Sequence, residues 1–213
     1  MKKALVFFIA LFLTSCVMYE ERVEIEVMVP PIVDLSKYKK FDFIVFDDNF
    51  NNMTSERVDV KYEISNFILN ELRTKGNFEV ELVEDANFIP EKIGDPLYWQ
   101  RRNKPTFVLI YSGEISKYYA FYRRELTTAA ETPYMRQGLV ETRRLKLNFC
   151  FYVMAPDKAE PVYKKCFAEK TTASTYDPVA FSLYTVLQRS FSIVLRDISY
   201  QRVRQTHFLL RYP

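Results

Sequence analysis

FDFIVFD (residues 41–47), VKYEISNFILNELRTKG (60–76) and FEVELV (78–83) are the three stretches that decide the fold. The first is a compact apolar run suited to a buried strand. In the second the period changes, and Val60, Ile64, Phe67, Ile68 and Leu72 share one face at helical spacing. Ser55 is the expected N-cap, with Glu56 at the positive helix end, Arg73 and Lys75 in the last turn and Gly76 as the left-handed stop. The third stretch alternates, as a strand does. Strand, helix and strand within about 45 residues predict a right-handed crossover and a sheet with parallel character.

Outward from this unit the pattern stays mixed. TFVLIYSGEISKYYAFYRREL (106–126) opens as the strongest strand of the chain, and Gly113 inside it marks a bulge or a close backbone approach. LKLNFCFYVM (145–154) puts Leu145, Leu147, Phe149, Phe151 and Val153 on one face. APDKAEP is a loop and VYKKCFAEK (162–170) a returning strand. Asp177-Pro178 is expected to start a helix with Asp177 as N-cap, followed by a stripe of Ala180, Tyr184, Leu187, Phe191, Val194 and Ile198. Residues 84–105 are irregular, with a short helix near Leu97 to Arg102. Val23, Ile25 and Val27 alternate as a short edge strand, and the tail from Ser199 is a last strand or a strap. The expected class is α/β: a three-layer sandwich with a mixed β-sheet flanked by amphipathic helices, plus a long β-hairpin.

The first residues, MKKALVFFIALFLTSC, are an address rather than part of a core. Two lysines precede ten apolar residues, half of the roughly 20 needed to span a bilayer, which is the pattern of a secretory signal peptide. Leu13-Thr14-Ser15-Cys16 resembles the lipobox of bacterial lipoproteins. That resemblance implies a diacylglyceryl group on the Cys16 thiol, cleavage before Cys16 and acylation of the new amine. The acyl chains would anchor the protein by burying methylenes, about 0.8 kcal/mol each. Val17, where inner-membrane lipoproteins often carry Asp, tilts the expectation toward the outer membrane. The expected organisation is a signal peptide over residues 1–15, a lipidated tether over 16–28 and a single α/β domain over 29–213.

Composition and motifs narrow the function by exclusion. The formal charge is +3, of which Lys2 and Lys3 carry two, so the mature chain has no electrostatic reason to seek nucleic acid. The four glycines are far apart and form no phosphate loop. The single histidine, His207, has no supporting pattern for a nucleophilic triad or a zinc site. DDNFNN (47–52) lacks the glycine and terminal glutamate of a calcium loop. The chain reads as non-enzymatic, with no metal or cofactor beyond the covalent lipid.

Two features point to surfaces and crosslinks. If the strands flanking APDKAEP form a hairpin centred on Lys158, Cys150 and Cys166 face each other on the side away from Phe149 and Phe151. An exported protein allows a disulfide there; the alternative is two free thiols acting as small hydrophobes. Residues 117–144, KYYAFYRRELTTAAETPYMRQGLVETRR, interleave aromatics and arginines. They read as a hairpin projecting beyond the sheet, with Tyr118, Tyr119, Phe121, Tyr122, Arg123, Arg124 and Tyr134 as candidate partner-binding residues. Cross-strand aromatic packing and a disordered loop with basic flanks are the alternatives.

PPIVDLSKYKKFDFIVFDD, ISNFILNELRTKGNFEVELVED, FVLIYSGEI and LKLNFCFYVMAPDKAEPVYKKC together resemble the curli-secretion lipoprotein superfamily, which includes penicillin-binding-protein activators. The resemblance spans roughly residues 29–198 and has no catalytic motif. It implies a three-layer α/β domain at the cell envelope, periplasm-facing, acting by binding envelope proteins. It also implies, as the alternative, a homo-oligomeric subunit of an outer-membrane secretion or assembly channel. Pore-forming members carry two extended membrane hairpins, whereas this chain offers one candidate, and Arg123-Arg124 and Arg143-Arg144 suit a lipid-facing band poorly.

Overall fold

The computed structural model describes residues 19–126, 134–174 and 177–211, with side chains over 22–120, 141–173 and 177–207. Residues 1–15, Cys16 and the tip of the long hairpin lie outside the described residues. The chain divides into two compact units: residues 31–199, and a smaller one formed by the segments 1–30 and 200–213.

The larger unit is built on β2 (Lys40–Asn52), α1 (Val60–Thr74), β3 (Glu79–Leu82), a 3-10 turn (Pro90–Gly94), the short α2 (Pro96–Gln100), β4 (Thr106–Leu126), β5 (Tyr134–Met154), β6 (Tyr163–Ser174) and α3 (Val179–Ile198). Its five-stranded sheet has the order β3-β2-β4-β5-β6. β2 runs parallel to β3 and β4, while β5 is antiparallel to β4 and β6. The sheet is therefore mixed, as the strand-helix-strand pattern followed by a hairpin dictates.

Alternation along the strands assigns the two faces. Phe41, Phe43 and Val45 of β2, Phe107, Leu109 and Tyr111 of β4, and Leu145, Leu147, Phe149, Phe151 and Val153 of β5 enter one core with α1 and α3. Phe41 stacks on Phe107 with ring centroids 4.5 Å apart, and Phe151 meets Phe191 of α3 edge-on at 5.3 Å. Each such side chain contributes about 1.5–3 kcal/mol by leaving water. On the opposite face Ile44, Val108, Tyr152 and Met154 pack under Phe88 and Trp99. The irregular 84–105 segment thus supplies the third layer. Trp99 is fixed by a 2.7 Å hydrogen bond from its indole N–H to the Lys92 carbonyl.

Four local expectations are corrected. Helix α1 starts at Val60, not after Ser55, because Asp59 takes the N-cap and its Oδ1 accepts from the Tyr62 amide at 3.0 Å. The left-handed residue after α1 is Asn77 (φ 56°), not Gly76. Gly76 is needed for space instead, since a Cβ there would lie 2.6 Å from the Phe78 ring. Helix α3 starts at Val179, and no side chain of its own flank caps it. Its first amide is met by Glu56 Oε2 at 3.2 Å, from a distant loop. Its buried stripe is also wider than expected. Leu183, Val186 and Leu195 are inside, whereas Ala180 and Tyr184 are half-buried. Tyr184 stacks on Phe67 of α1 and donates to Glu63; that bond, with burial, pushes its hydroxyl up to about 12.

The smaller unit is a two-stranded antiparallel ribbon. β1 (Tyr19–Val29) pairs with β7 (Gln201–Arg211) without a bulge, from Tyr19 opposite Arg211 to Val29 opposite Gln201. Residues 16–28, expected as a tether, thus form a strand from Tyr19 onward, and the tail is its partner.

Candidate partner-binding surface

Strand pairing creates the projection. β2 stops accompanying β4 at Asn52 opposite Ile115, and β6 stops accompanying β5 at Thr142 opposite Ser174. Beyond those points, among the described residues, β4 and β5 pair only with each other, from Tyr119 opposite Glu141 to Leu126 opposite Tyr134. At about 3.3 Å per residue this free ribbon extends some 25 Å past the sheet.

The foot of the ribbon is anchored from inside. Arg143 is 1% exposed, although it stands in an Arg-Arg pair that reads as surface. Its Nη1 donates to the Asp177 carbonyl at 2.5 Å, and its Nη2 pairs with Glu56. Glu56 in turn caps α3 through the Val179 amide. One guanidinium and one carboxylate therefore tie the ribbon base, the loop before α1 and the start of α3 together. Lys117 Nζ sits 3.0 Å from Glu141 across the strands and adds a second link at the foot.

The sheet face away from α1 and α3 carries the exposed chemistry. The Arg144 guanidinium lies 4.6 Å above the ring of Tyr118, within cation–π range. Lys146 stands directly opposite Lys170, and Arg144 opposite Thr172. These residues ring an open depression of roughly 540 Å³. Glu114 pairs with Lys146. Three cations beside an aromatic shelf suit a partner that presents carboxylates or other anions.

Of the residues read from the sequence as partner-binding, Tyr118 is half-buried under Arg144 and Tyr119 is 69% exposed. Phe121, Tyr122, Arg123, Arg124 and Tyr134 lie on the ribbon strands, and their side chains fall outside the described residues. Cys150 and Cys166 are opposed in the β5–β6 register and joined, with Cα atoms 4.0 Å apart. Lys146 and Lys170 satisfy the same register as the cysteines, so the sequence held that signal. Arg143 carried none, since its partners come from 87 and 34 residues away.

A second cluster braces the end of α3. Asp197 is buried, and its Oδ2 receives the Tyr163 hydroxyl at 3.0 Å and Lys165 Nζ at 2.7 Å. Burial works to raise its pKa, but Lys165 and Tyr163 outweigh it and hold the carboxyl below the usual range. The Asp197 carbonyl accepts from the Ile32 and Val33 amides at 2.8 and 3.1 Å, which pins the segment leading into β2. On the other face Asp85 is shared by Tyr98 and Arg102, and Arg102 also reaches Asp42 at 3.6 Å. Both clusters are internally paired. Among the described residues no group of three or more His, Cys, Asp or Glu side chains is placed to hold a metal, and no helix is long and apolar enough to cross a membrane.

The sequence matches no protein-family model and no curated protein. Solved structures match at low identity and low TM-score. The PelC dodecamer from Paraburkholderia phytofirmans is 12% identical with a TM-score of 0.40, over 83% of this chain and 98% of that one. A neuraminyllactose-binding hemagglutinin homolog from Helicobacter pylori is 8% identical with a TM-score of 0.41, over 74% and 82%. A minor lipoprotein from Acinetobacter baumannii is 12% identical with a TM-score of 0.32, over 79% and 98%.

Proposed function

We propose that this chain is a lipid-anchored envelope protein that binds another envelope component non-enzymatically through the β4–β5 ribbon and its basic foot. The observation that carries the reading is the unaccompanied ribbon beyond Tyr119 and Glu141, standing on Arg144, Lys146 and Lys170. A two-stranded projection has no stabilising role in the sheet it leaves, and two-stranded ribbons in water gain from a partner. The anchor rests on Leu13-Thr14-Ser15-Cys16 and places the domain at a membrane surface, with the outer membrane favoured by Val17. The partner's matching face is acidic.

The test is site-specific photocrosslinking in intact cells from Tyr119, with exposed Tyr62 of α1 as the control position. A discrete adduct from position 119, absent from position 62 and abolished by Lys146→Glu with Lys170→Glu, is the expected result. Equal labelling from both positions, or an adduct indifferent to the charge reversal, would overturn the docking role. Mass spectrometry of the purified N-terminus tests the anchor separately; an intact Met1 or an unmodified Cys16 would exclude it.

A further inference from the structure

The β1–β7 ribbon has a charge asymmetry that its own pairing does not use. β1 carries Glu20, Glu21, Glu24 and Glu26 against one Arg22, whereas β7 carries Arg202, Arg204, His207 and Arg211 and no acid. Within the ribbon only Glu26 faces a base, Arg204, with Nε 3.2 Å from Oε1. Glu24 stands opposite Thr206 and Arg202 opposite Met28. Among the described residues no backbone group of Arg22–Val29 or Arg202–His207 bonds to a segment outside the ribbon. A free two-stranded ribbon is marginal in water, and an open edge is a template for another strand.

We infer that β1 of one copy pairs edge to edge with β7 of a second copy of this chain. The occupant is set by charge: an acidic edge strand and a basic edge strand belong to the same molecule, so copies fit head to tail. The register follows from the pleat. A shift of one residue would swap the faces and bring inward-pointing backbone groups against outward ones, so only even offsets pair. With no offset a single acid–base match forms, Glu26 with Arg204. An offset of two in one direction places Glu24 opposite Arg204 and Glu26 opposite Arg202, while Ile25 meets Val203. A further step in that direction sets Arg22 against Arg204, and two residues the other way leaves Glu26 against Thr206 and Met28 against Arg204. The two-residue offset is thus the best-matched register. In it each Arg204 lies between its own Glu26 and the neighbour's Glu24, and such cross-strand charge pairs are stabilising.

The contact is heterologous, so its repetition either closes a ring or propagates. Two residues of offset per two strands gives a shear equal to the strand number, the relation found in eight-stranded barrels tilted by about 36°. A ring closed by this contact has that shear. This reading is independent of the β4–β5 ribbon and its partner.

The experiment mixes two single variants of the full-length protein in detergent, Glu24→Cys and Arg204→Cys, with a short bifunctional thiol reagent. Covalent dimer at least tenfold above either variant alone is expected, and the double variant E24C/R204C should give a ladder ending at one discrete size. Folding is checked by the fluorescence of Trp99, the sole tryptophan. Dimer from E24C alone would mean an isologous contact. Equal dimer from separate E26C and R204C chains would refute the offset. A protein monomeric by light scattering with no crosslinked product would overturn the inference altogether.

Discussion

Replacing Gly113 by alanine tests how tightly the hairpin is held at the sheet centre. Gly113 has φ +153°, a backbone conformation that side-chain-bearing residues rarely adopt, and it faces the bulge where the β2–β4 register shifts between Asp47 and Phe50. A Cβ built there would lie 2.1 Å from the Lys146 carbonyl oxygen and 3.1 Å from its carbon. The atom approached is backbone, so no rotamer change relieves the overlap. β4 and β5 must separate by about 1 Å, which weakens roughly two ladder hydrogen bonds at about 1 kcal/mol each. The unfavourable φ adds about 1–2 kcal/mol. The expected loss is about 3–4 kcal/mol out of a typical 5–15, or a fall in Tm of roughly 6–16 °C for a chain of this size. Urea and thermal unfolding followed by Trp99 fluorescence measure it. Gly94→Ala is the control, because nothing lies within 4 Å of a Cβ there, and it should stay within about 1 kcal/mol of the parent. A G113A protein as stable as G94A would refute the close-approach argument.

Arg143→Met removes the buried guanidinium and should cost about 2–4 kcal/mol. In a double-mutant cycle with Glu56→Gln, a coupling above about 1 kcal/mol by urea unfolding is expected. Simple additivity would show that the pair does not join the ribbon base to α3. Asp197 predicts the pH behaviour. Its folded pKa is depressed by Lys165 and Tyr163, so its contribution is fully present above the unfolded value of about 3.9 and is lost as pH falls through the lower folded value. Asp197→Asn should therefore be less stable than the parent at pH 7, with the gap narrowing as pH falls below about 4. A gap constant with pH would place the effect in packing rather than charge.

Much of the fold was legible because it rests on periodicity. Phe41, Phe43 and Val45 alternate, Ile64, Ile68 and Leu72 recur at helical spacing, and both patterns are set by local backbone geometry. The opposition of Cys150 and Cys166 was legible for the same reason, since a short loop fixes a hairpin's register. The helix starts were read less well. Asp59 rather than Ser55 caps α1, and Glu56 caps the start of α3, which its own flanking residues leave without a cap. Arg143 looked like half of a surface cluster, and its burial depends on a carbonyl and a carboxylate brought from elsewhere.

The sequence by itself determined the alternation of strands and helices, the hairpin register and the chemistry at Cys16 that resembles a lipid-attachment site. Each is a property of neighbours along the chain. Tertiary structure alone decided that the first and last described segments pair as β1 and β7, that 84–105 covers the second sheet face, and that Arg143 is sealed beneath the ribbon. Those outcomes depend on contacts between residues far apart in sequence, where the cost of desolvating a charge or leaving a backbone group unpaired is settled only when the chain has closed around it.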